Sequence, residues 1–532
     1  MAGVDLSGYG FPKAIFKTET EGNTSIVPIM LLSPINYFLP LSQETVRISY
    51  VIINLLTGLF IYLFVFELFK KKEIALLSAL LFLISPWSFY LSRYATESPF
   101  ALLFFIAGIY SILKFNGRKL VIPVIFLALG FFSYHGAKII LIPLVFLTLF
   151  YKFDFQLKRL RQKGSLIFLG SIFLIFLVFI LGSYFSGSIL ENRKNEIFFL
   201  NQEFINESTF EQLRQTIPSN FSLIFLNKTT VAANIFVQKY LTAFSTTVLS
   251  LYGDTRIIYS FSYHGLIYYS DLLFIFIGIF YLFKNNKKEF YLLISLLLIS
   301  PLPAAFNNVG DSYIHRAFLM LPVLVIFSSF GVWQIFLFIK NKTNLAISAT
   351  LITTIIFLSF ANFLYFYFYR YPVTSGEFFA LEERLLSKFI SESEKFDNKK
   401  IIIASSSPRN SYLQYIFYSN NDKNVGFQIE NSSKFNKGEY KINGNNFLYD
   451  CFTNYDEKTT YVIRYDKECF RDKTFPVYAL KNPKDGGIFF QIMNSSLCNG
   501  IELKGWPPKK SSDFSIEKMD RKKFCKTWVN TY

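Results

Sequence analysis

Charge is scarce in this chain of 532 residues: Asp, Glu, Lys and Arg supply 17% of it, against roughly 25% in soluble domains. Apolar residues reach 52% and aromatics 19%, more Phe and Tyr than a soluble core needs. Signature loops are missing as well. There is no Gly-Lys-Ser/Thr phosphate loop, no Gly-x-Gly-x-x-Gly after a strand, no Gly-x-Ser-x-Gly and no His-Glu-x-x-His, which argues against nucleotide-driven transport and the familiar hydrolases. No half of the apolar region repeats the other, which weakens a secondary transporter. The formal net charge is +17, yet the basic residues fall in short clusters between apolar runs and form no stripe with interleaved aromatics, so nucleic acid is not an expected partner. Residues 1–25 lack a basic n-region followed by an apolar h-region and do not read as a signal peptide. Cysteine is absent before Cys451.

What remains is a series of long apolar runs. Residues 1–47 carry none, since Ile26 to Leu41 is interrupted by Pro28, Ser33, Pro34, Asn36 and Pro40 and suits a loop with a short surface helix. About ten spans are then expected: Ile48 to Phe69, Ile74 to Leu91, Ser98 to Leu113, Lys119 to Ser133, Ala137 to Tyr151, Ser165 to Tyr184, Gly265 to Phe283, Glu289 to Phe306, Ala317 to Ile339 and Asn344 to Phe368. Several are short enough to be half-spans. One set of turns holds Lys70 to Lys72, Lys114 with Arg118 and Lys119, five basic residues between Lys152 and Lys163, Lys284 with Lys287 and Lys288, and Lys340 with Lys342. The opposite short turns hold only Arg93, Lys138 and Arg316. The positive-inside rule makes the first set cytoplasmic. Residues 1–47, the loop of about 185–264 and everything after Phe368 are then extracytoplasmic, in a multi-pass protein of the plasma membrane.

The basic residues that break the rule are the candidates for chemistry. Arg93 lies in Trp-Ser-Phe-Tyr-Leu-Ser-Arg-Tyr-Ala-Thr-Glu-Ser-Pro, Lys138 in Ser-Tyr-His-Gly-Ala-Lys, and Arg316 in Asn-Asn-Val-Gly-Asp-Ser-Tyr-Ile-His-Arg-Ala-Phe-Leu-Met-Leu-Pro, which starts at Asn307. His135 and His315 accompany them and His264 opens the seventh span on the same side. A lone interfacial His is usually structural, and charge there also simply marks the end of a span. Their co-location favours a basic pocket for a phosphate, Arg offering a planar fork of donors and Lys a point charge. Asp311 shares the third stretch. Asp271, two turns into the seventh span, is expected to pair with an outer basic residue, either as a structural ion pair or as a substrate contact. Glu97 either touches substrate or orients Arg93 from four residues away on a helix start.

After Tyr369 the pattern becomes that of a soluble domain. Glu377 to Lys395 and Ser411 to Ser419 read as helices, and Lys400 to Ser405, Val425 to Glu430, Thr460 to Tyr465 and Gly487 to Met493 as strands. The fold class is therefore a polytopic all-α membrane domain over 48–368 followed by an α/β domain over 369–532, long enough to bury its own core. Cys451, Cys469, Cys498 and Cys525 all lie in this tail, an even number that fits two disulfides in an oxidising compartment with three possible connectivities. Zinc is the weaker alternative, because the spacings lack Cys-x-x-Cys pairs.

Ser85 to Glu97, Gly108 to Tyr110, Phe131 to Lys138, and Ile299 to Ala305 running into His315 to Pro322 together resemble bacterial polytopic glycosyltransferases of the GT-C class, nearest to the mannosyltransferase-like and aminoarabinose-transferase-like branch called glycosyltransferase family 39. The likeness covers about residues 5 to 372. It implies a GT-C-like bundle that takes a sugar from a polyprenyl-phosphate carrier on the outer face and passes it, with inversion, to an acceptor glycan, lipid or protein. Such a reaction needs a carboxylate to take the acceptor's proton and cations to hold the departing lipid phosphate. Arg93, His135, Lys138 and Arg316 suit the second role. The family's catalytic Asp lies in the first outer loop after a first span, and here Asp5 is the carboxylate that stands in the remnant of that loop. No cofactor is assigned, and a divalent metal is left open.

The expectation is thus a membrane-embedded glycosyltransferase with membrane lipid and a lipid-linked sugar as partners, its α/β domain binding acceptor glycan or protein. A lipid-linked saccharide transporter or flippase and an inactive glycan-binding scaffold are the alternatives. The chain is also expected to lack its own beginning, since an external start without an export signal calls for one more span before Met1.

Overall fold

The computed structural model describes residues 25–39, 42–154, 163–186, 201–217, 219, 221–254, 260–261, 264–307, 312–341, 345–397, 399–419, 439–452, 456–467, 469, 478–503, 508 and 510–531. They group into two units, one of 2–35 and 47–363, the other chiefly of 36–46 and 364–532.

The first unit is helical: α1 Ile26–Phe38, α2 Gln43–Phe69, α3 Lys72–Ile84, α4 Pro86–Arg93, α5 Ser98–Lys114, α6 Val121–Ser133, α7 Ala137–Lys152, α8 Lys163–Ser186, α9 Gln202–Arg214, α10 Lys228–Thr242, α11 Tyr269–Asn285, α12 Lys287–Ile299, α13 Met320–Lys340 and α14 Leu345–Tyr365. A helix is what an apolar run must form in hydrocarbon, because only intrasegment bonds satisfy its backbone there. Among the described residues four helices are long and apolar enough to cross a membrane, or up to five if the bent pair α3 and α4 is one span. That is fewer than the ten expected spans. The difference is length: α6 has 13 residues, about 20 Å of rise, and α5 and α11 have 17, whereas a bilayer core is about 30 Å thick. The run expected as one span over Ile74 to Leu91 is broken, α3 and α4 meeting at 59°. Pro86 opens α4 and Ser85 before it is extended (φ −64°, ψ 138°), as a residue preceding proline prefers.

Two helices form the hub. In α13 every residue from Met320 to Val332 is buried, and in α5 every residue from Ser98 to Ile109, the all-round burial that marks an internal helix. α11 crosses α13 with the backbones in contact: a Cβ on Gly278 would fall on the carbonyl oxygen of Phe327, and one on Gly331 on that of Phe274. Close approach through small residues is how helices associate where no water drives them together. The same device joins α5 to α6, where a Cβ on Gly108 would lie 2.7 Å from Leu127 Cδ2. Ser78 of α3 and Ser329 of α13 add a buried hydroxyl pair at 2.6 Å.

The second unit contains a seven-stranded mixed sheet of order β2-β3-β1-β4-β6-β5-β7, from β1 Lys400–Ala404, β2 Glu439–Ile442, β3 Asn445–Leu448, β4 Thr459–Arg464, β5 Tyr478–Lys481, β6 Ile488–Met493 and β7 Val529–Thr531. β3, β1 and β4 run parallel and the other pairs antiparallel. Helices α15 Leu381–Phe396, α16 Pro408–Tyr418 and α17 Arg521–Trp528 complete it. Ile401, Ile403 and Val462 point to a large core with Leu385, Phe389, Tyr415 and Trp528. The alternate residues Ile402, Tyr461 and Ile463 belong to a small cluster with Phe452 and Met493. The expected strand Val425 to Glu430 lies outside the described residues. β2, β3, β5 and β7 went unread because each has only three or four residues, too short for a two-residue period to register. The β2–β3 turn did carry a signal, Asn443-Gly444, both with positive φ (51° and 80°), the pairing that two-residue hairpins favour.

The four cysteines pair as Cys451–Cys469 and Cys498–Cys525. The second bond lies in the large core, its partners 2% and 0% exposed, while Cys469 packs on the small cluster.

Two outcomes follow from this packing. Gly331→Ala should lower stability by about 1–3 kcal/mol or more, as overpacking does, because the atom it meets is backbone; Gly170→Ala, with nothing within 4 Å of its Cβ, should be neutral, and thermal unfolding in detergent compares them. Non-reducing peptide mapping should recover the two linkages above and no others, with Cys498→Ser costing about 2–5 kcal/mol, the usual range for a native disulfide.

Candidate functional site

The ends of the first unit's helices carry different chemistry. At one end the basic turns meet acidic partners: Glu67 takes Lys70 at 2.5 Å and Lys114 at 3.5 Å, Lys288 takes Asp154, and Tyr151 donates to Glu289 at 3.2 Å. α3, α5, α11 and α13 run from or to this end, so their other termini deliver the segments around Trp87, Tyr94, Tyr268 and His315 to the opposite end.

Trp87 ties these segments together. Its backbone N–H donates to Leu266 O at 3.0 Å and its indole N–H to Ile314 O at 2.9 Å, 227 residues away; the side chain is fully buried. Ile314 N–H in turn donates to the buried carboxylate of Asp254 at 2.8 Å, and Tyr268 hydroxyl donates to Ile84 O. The short helical turn Tyr313–Arg316 is thereby held on both of its backbone faces. One residue on, His315 is 6% exposed. Its Nδ1 lies 3.2 Å from Thr96 Oγ1 and 3.0 Å from Ser98 Oγ, and its ring packs against Tyr90 and Tyr94 with centroids 5.4 and 5.7 Å away. Burial, reinforced by the charge of Arg316, pushes the His315 imidazole down to about 3. It therefore contributes position at neutral pH, not charge, and the positive charge of this turn is that of Arg316.

The Ser133–Lys138 motif joins the same end. Gly136 is wedged between Tyr134 and Pro303, where a Cβ would be 2.6 Å and 3.1 Å from their atoms, and the Tyr134 ring packs on Phe318 at 5.8 Å, two residues beyond Arg316. Lys138 Nζ is 3.2 Å from His135 Nδ1 and sits over the Phe131 and Phe179 rings at 5.5 and 5.0 Å, a cation–π arrangement that holds an ammonium among apolar groups. The structure thus brings the Arg93, Lys138 and His315–Arg316 segments to one end of the bundle.

Other candidates are placed differently. Among the described residues Asp271 has no basic partner: it accepts from Ser328 Oγ at 2.9 Å and from Tyr268 N–H at 3.1 Å. It closes the first turn of α11 as a capping carboxylate, where free N–H groups and the helix dipole favour negative charge. Glu97 and Arg93 do not share a helix. Arg93 ends α4, a turn intervenes, and Glu97 precedes Ser98-Pro99 at the start of α5; the Glu97 carboxylate accepts from the backbone and hydroxyl of Ser25. His264 is 3% exposed with its Nδ1 2.8 Å from Gly265 O, and burial pushes its imidazole down. Asp5 and Asp311 lie outside the described residues. Among those described, no three His, Cys, Asp or Glu side chains gather in a metal-binding group.

Sequence reading missed the supporting residues. Trp87, Tyr90, Tyr94, Thr96 and Ser98 surround Arg93 in the chain, and their contribution depends on contacts more than 200 residues distant. Asp254 stood in the long loop without a pattern to single it out.

Trp87→Phe keeps most of the buried ring but leaves Ile314 O without its donor. It should cost about 1–3 kcal/mol, the penalty for a buried unsatisfied group, read as a lower thermal midpoint, while Trp333→Phe on the partly exposed end of α13 should change little.

Residues 27–183 match the family model described as dolichyl-phosphate-mannose-protein mannosyltransferase. No curated protein matches the chain. Among solved structures the chain is similar to the archaeal oligosaccharyltransferase AglB from Archaeoglobus fulgidus in complex with an inhibitory peptide and a dolichol-phosphate, at 12% identity and a TM-score of 0.40. The alignment covers 74% of this chain and 55% of that one, so the chain spans about half of that protein's length.

Proposed function

We propose that this chain, a GT-C-like membrane protein whose residues 27–183 match the dolichyl-phosphate-mannose-protein mannosyltransferase family model, is a glycosyltransferase that uses a polyprenyl-phosphate-linked sugar. The observation that carries the reading is the meeting of the Arg93 and His315–Arg316 segments, through Trp87, Ser98 and Thr96, at the bundle end that lacks the compensated basic turns.

In this proposal Arg316, Arg93 and Lys138 hold the phosphate of the donor and take up the charge that develops as the sugar–oxygen bond breaks. Cations preorganised where charge develops, in a site shielded from water, are the strongest single contribution such a site makes. His315, neutral, fixes the turn that presents Arg316, and Asp254 anchors it from the backbone side. The acceptor hydroxyl attacks the anomeric carbon from the face opposite the lipid phosphate, which inverts the centre, and a carboxylate takes its proton. Asp5 and Asp311 are the proposed sources of that carboxylate. The shorter apolar helices complete a bundle of about ten segments, tilted or paired to match the bilayer. The two disulfides support an extracytoplasmic second unit, and the acceptor is a glycan, lipid or protein on that side.

Purified protein supplied with a labelled polyprenyl-phosphate sugar should pass label to an extracytoplasmic acceptor. Arg316→Ala should lower donor affinity by at least tenfold with the thermal midpoint preserved. Unchanged donor affinity would remove Arg316 from the site, and movement of the lipid-linked sugar across vesicles without transfer would replace the enzyme by a flippase.

A further inference from the structure

α7 and α12 pack side by side in the first unit, and a groove of about 380 Å³ runs between them, lined by Leu147 and Phe150 of α7 and by Tyr291, Leu292 and Ser295 of α12. That volume lies within the roughly 300–1,000 Å³ of ordinary ligand sites. The lining is apolar apart from the Tyr291 and Ser295 hydroxyls.

Residues three and four apart share a helix face. The face that carries Tyr291 and Ser295 therefore continues to Leu298 in one direction and to Lys287 and Lys288 in the other. Tyr291 and Leu298 are each 48% exposed, so the groove opens on the outside of the bundle. Lys288 closes it at the end of the basic turns: its Nζ stands 4.5 Å over the ring of Tyr151, the residue after Phe150, and it pairs with Asp154. Tyr151 is held in turn by Glu289, to which its hydroxyl donates at 3.2 Å. Lys287 is exposed, as is Lys284 on the other side of the α11–α12 turn, and neither has an ion-pair partner among the described residues.

The dimensions and the charge both constrain the occupant. The face from Lys288 to Leu298 rises about 15 Å at 1.5 Å per residue, half of the roughly 30 Å hydrocarbon core. It thus has the depth of one leaflet, with ammonium groups where that leaflet's headgroups stand. A groove between spans with a basic rim at the inner surface is a recognised way to hold an anionic headgroup, and each lysine near such a surface adds to the attraction. A zwitterionic lipid gains nothing from the rim, and a soluble anion gains nothing from the apolar walls.

We propose that the α7–α12 groove is a site for an anionic phospholipid of the leaflet at the basic end, one acyl chain lying along Leu147, Phe150, Tyr291 and Ser295 and the phosphate meeting Lys287. The groove lies at the other end of the bundle from the Arg93 and His315–Arg316 segments, and the inference does not rest on the proposed transfer reaction.

The test uses the full chain purified in detergent. The label is a phosphatidylglycerol with a diazirine in one acyl chain, and the competitors are phosphatidylglycerol and phosphatidylcholine of identical chains. Photolabelling and peptide mapping should place the label on residues 146–151 and 291–298, and phosphatidylglycerol should displace it at a concentration at least fivefold below that of phosphatidylcholine. Ser295→Phe, which fills the groove, and Lys287→Gln, which removes the exposed charge, should each reduce labelling of these peptides about fivefold with the thermal midpoint unchanged. Lys287→Gln alters an exposed side chain and decides the matter where Ser295→Phe fails to fold. Leu273→Phe, at a 60% exposed position on α11, and Arg316→Ala should leave the labelling as it is. Label spread evenly over the outward-facing helices, equal displacement by the two phospholipids, or indifference to Lys287→Gln would each overturn the proposal. So would displacement by a polyprenyl phosphate at a lower concentration than phosphatidylglycerol, which would give the groove to the donor's chain.

Discussion

The backbone contact between α11 and α13 at Gly278 and Gly331 sets the geometry on which the first unit depends. α13 has the longest fully buried run among the described residues, and the His315–Arg316 turn leads into it. α11 begins at the turn that Asp271 caps, and the same carboxylate accepts from Ser328 on α13. The crossing point and this polar tie fix both helices along their length, which leaves the segments at their ends no freedom to choose a different register. Van der Waals contact and a few internal hydrogen bonds carry such an arrangement, because apolar surroundings supply no hydrophobic drive between helices.

Positions at the ends of the bundle follow from that frame. Trp87 joins the broken span to the Leu266 turn through its backbone N–H and to the Ile314 turn through its indole. The break at Ser85-Pro86 falls one residue before Trp87, at the start of α4. Charge is then distributed by solvation. Lysines at the compensated end have acidic neighbours or solvent, Lys138 rests on two aromatic rings, and buried His315 gives up its charge altogether. A guanidinium offers a planar fork of donors and an ammonium a point charge, which is why the proposed donor contacts are assigned to Arg93 and Arg316 with Lys138.

The second unit solves a different problem. Strands of three to six residues cannot hold a sheet by themselves, and it is closed on one face by α15, α16 and α17 and on the other by a small cluster beside the Cys451–Cys469 bond. At the C-terminal end of β1 a buried polar chain runs from Ser405 through Ser411 to Glu383.

By itself the sequence determined that the chain is an apolar helical membrane protein with a cysteine-bearing α/β tail, because hydropathy and charge counts act locally and are read along the chain. It also singled out the Arg93, Lys138 and Arg316 segments, since basic residues that violate a topological rule are visible one by one, and the first two of these fall within residues 27–183, which the family model matches. Only the tertiary structure decided that Asp271 caps a helix, that Glu97 faces Ser25, that the second expected span is bent at Pro86, and which cysteines pair. The reason is the same in each case. A carboxylate, a proline or a thiol announces its chemistry in one dimension, but its partner is chosen by packing between residues tens to hundreds of positions apart, and no periodicity in the chain encodes that distance.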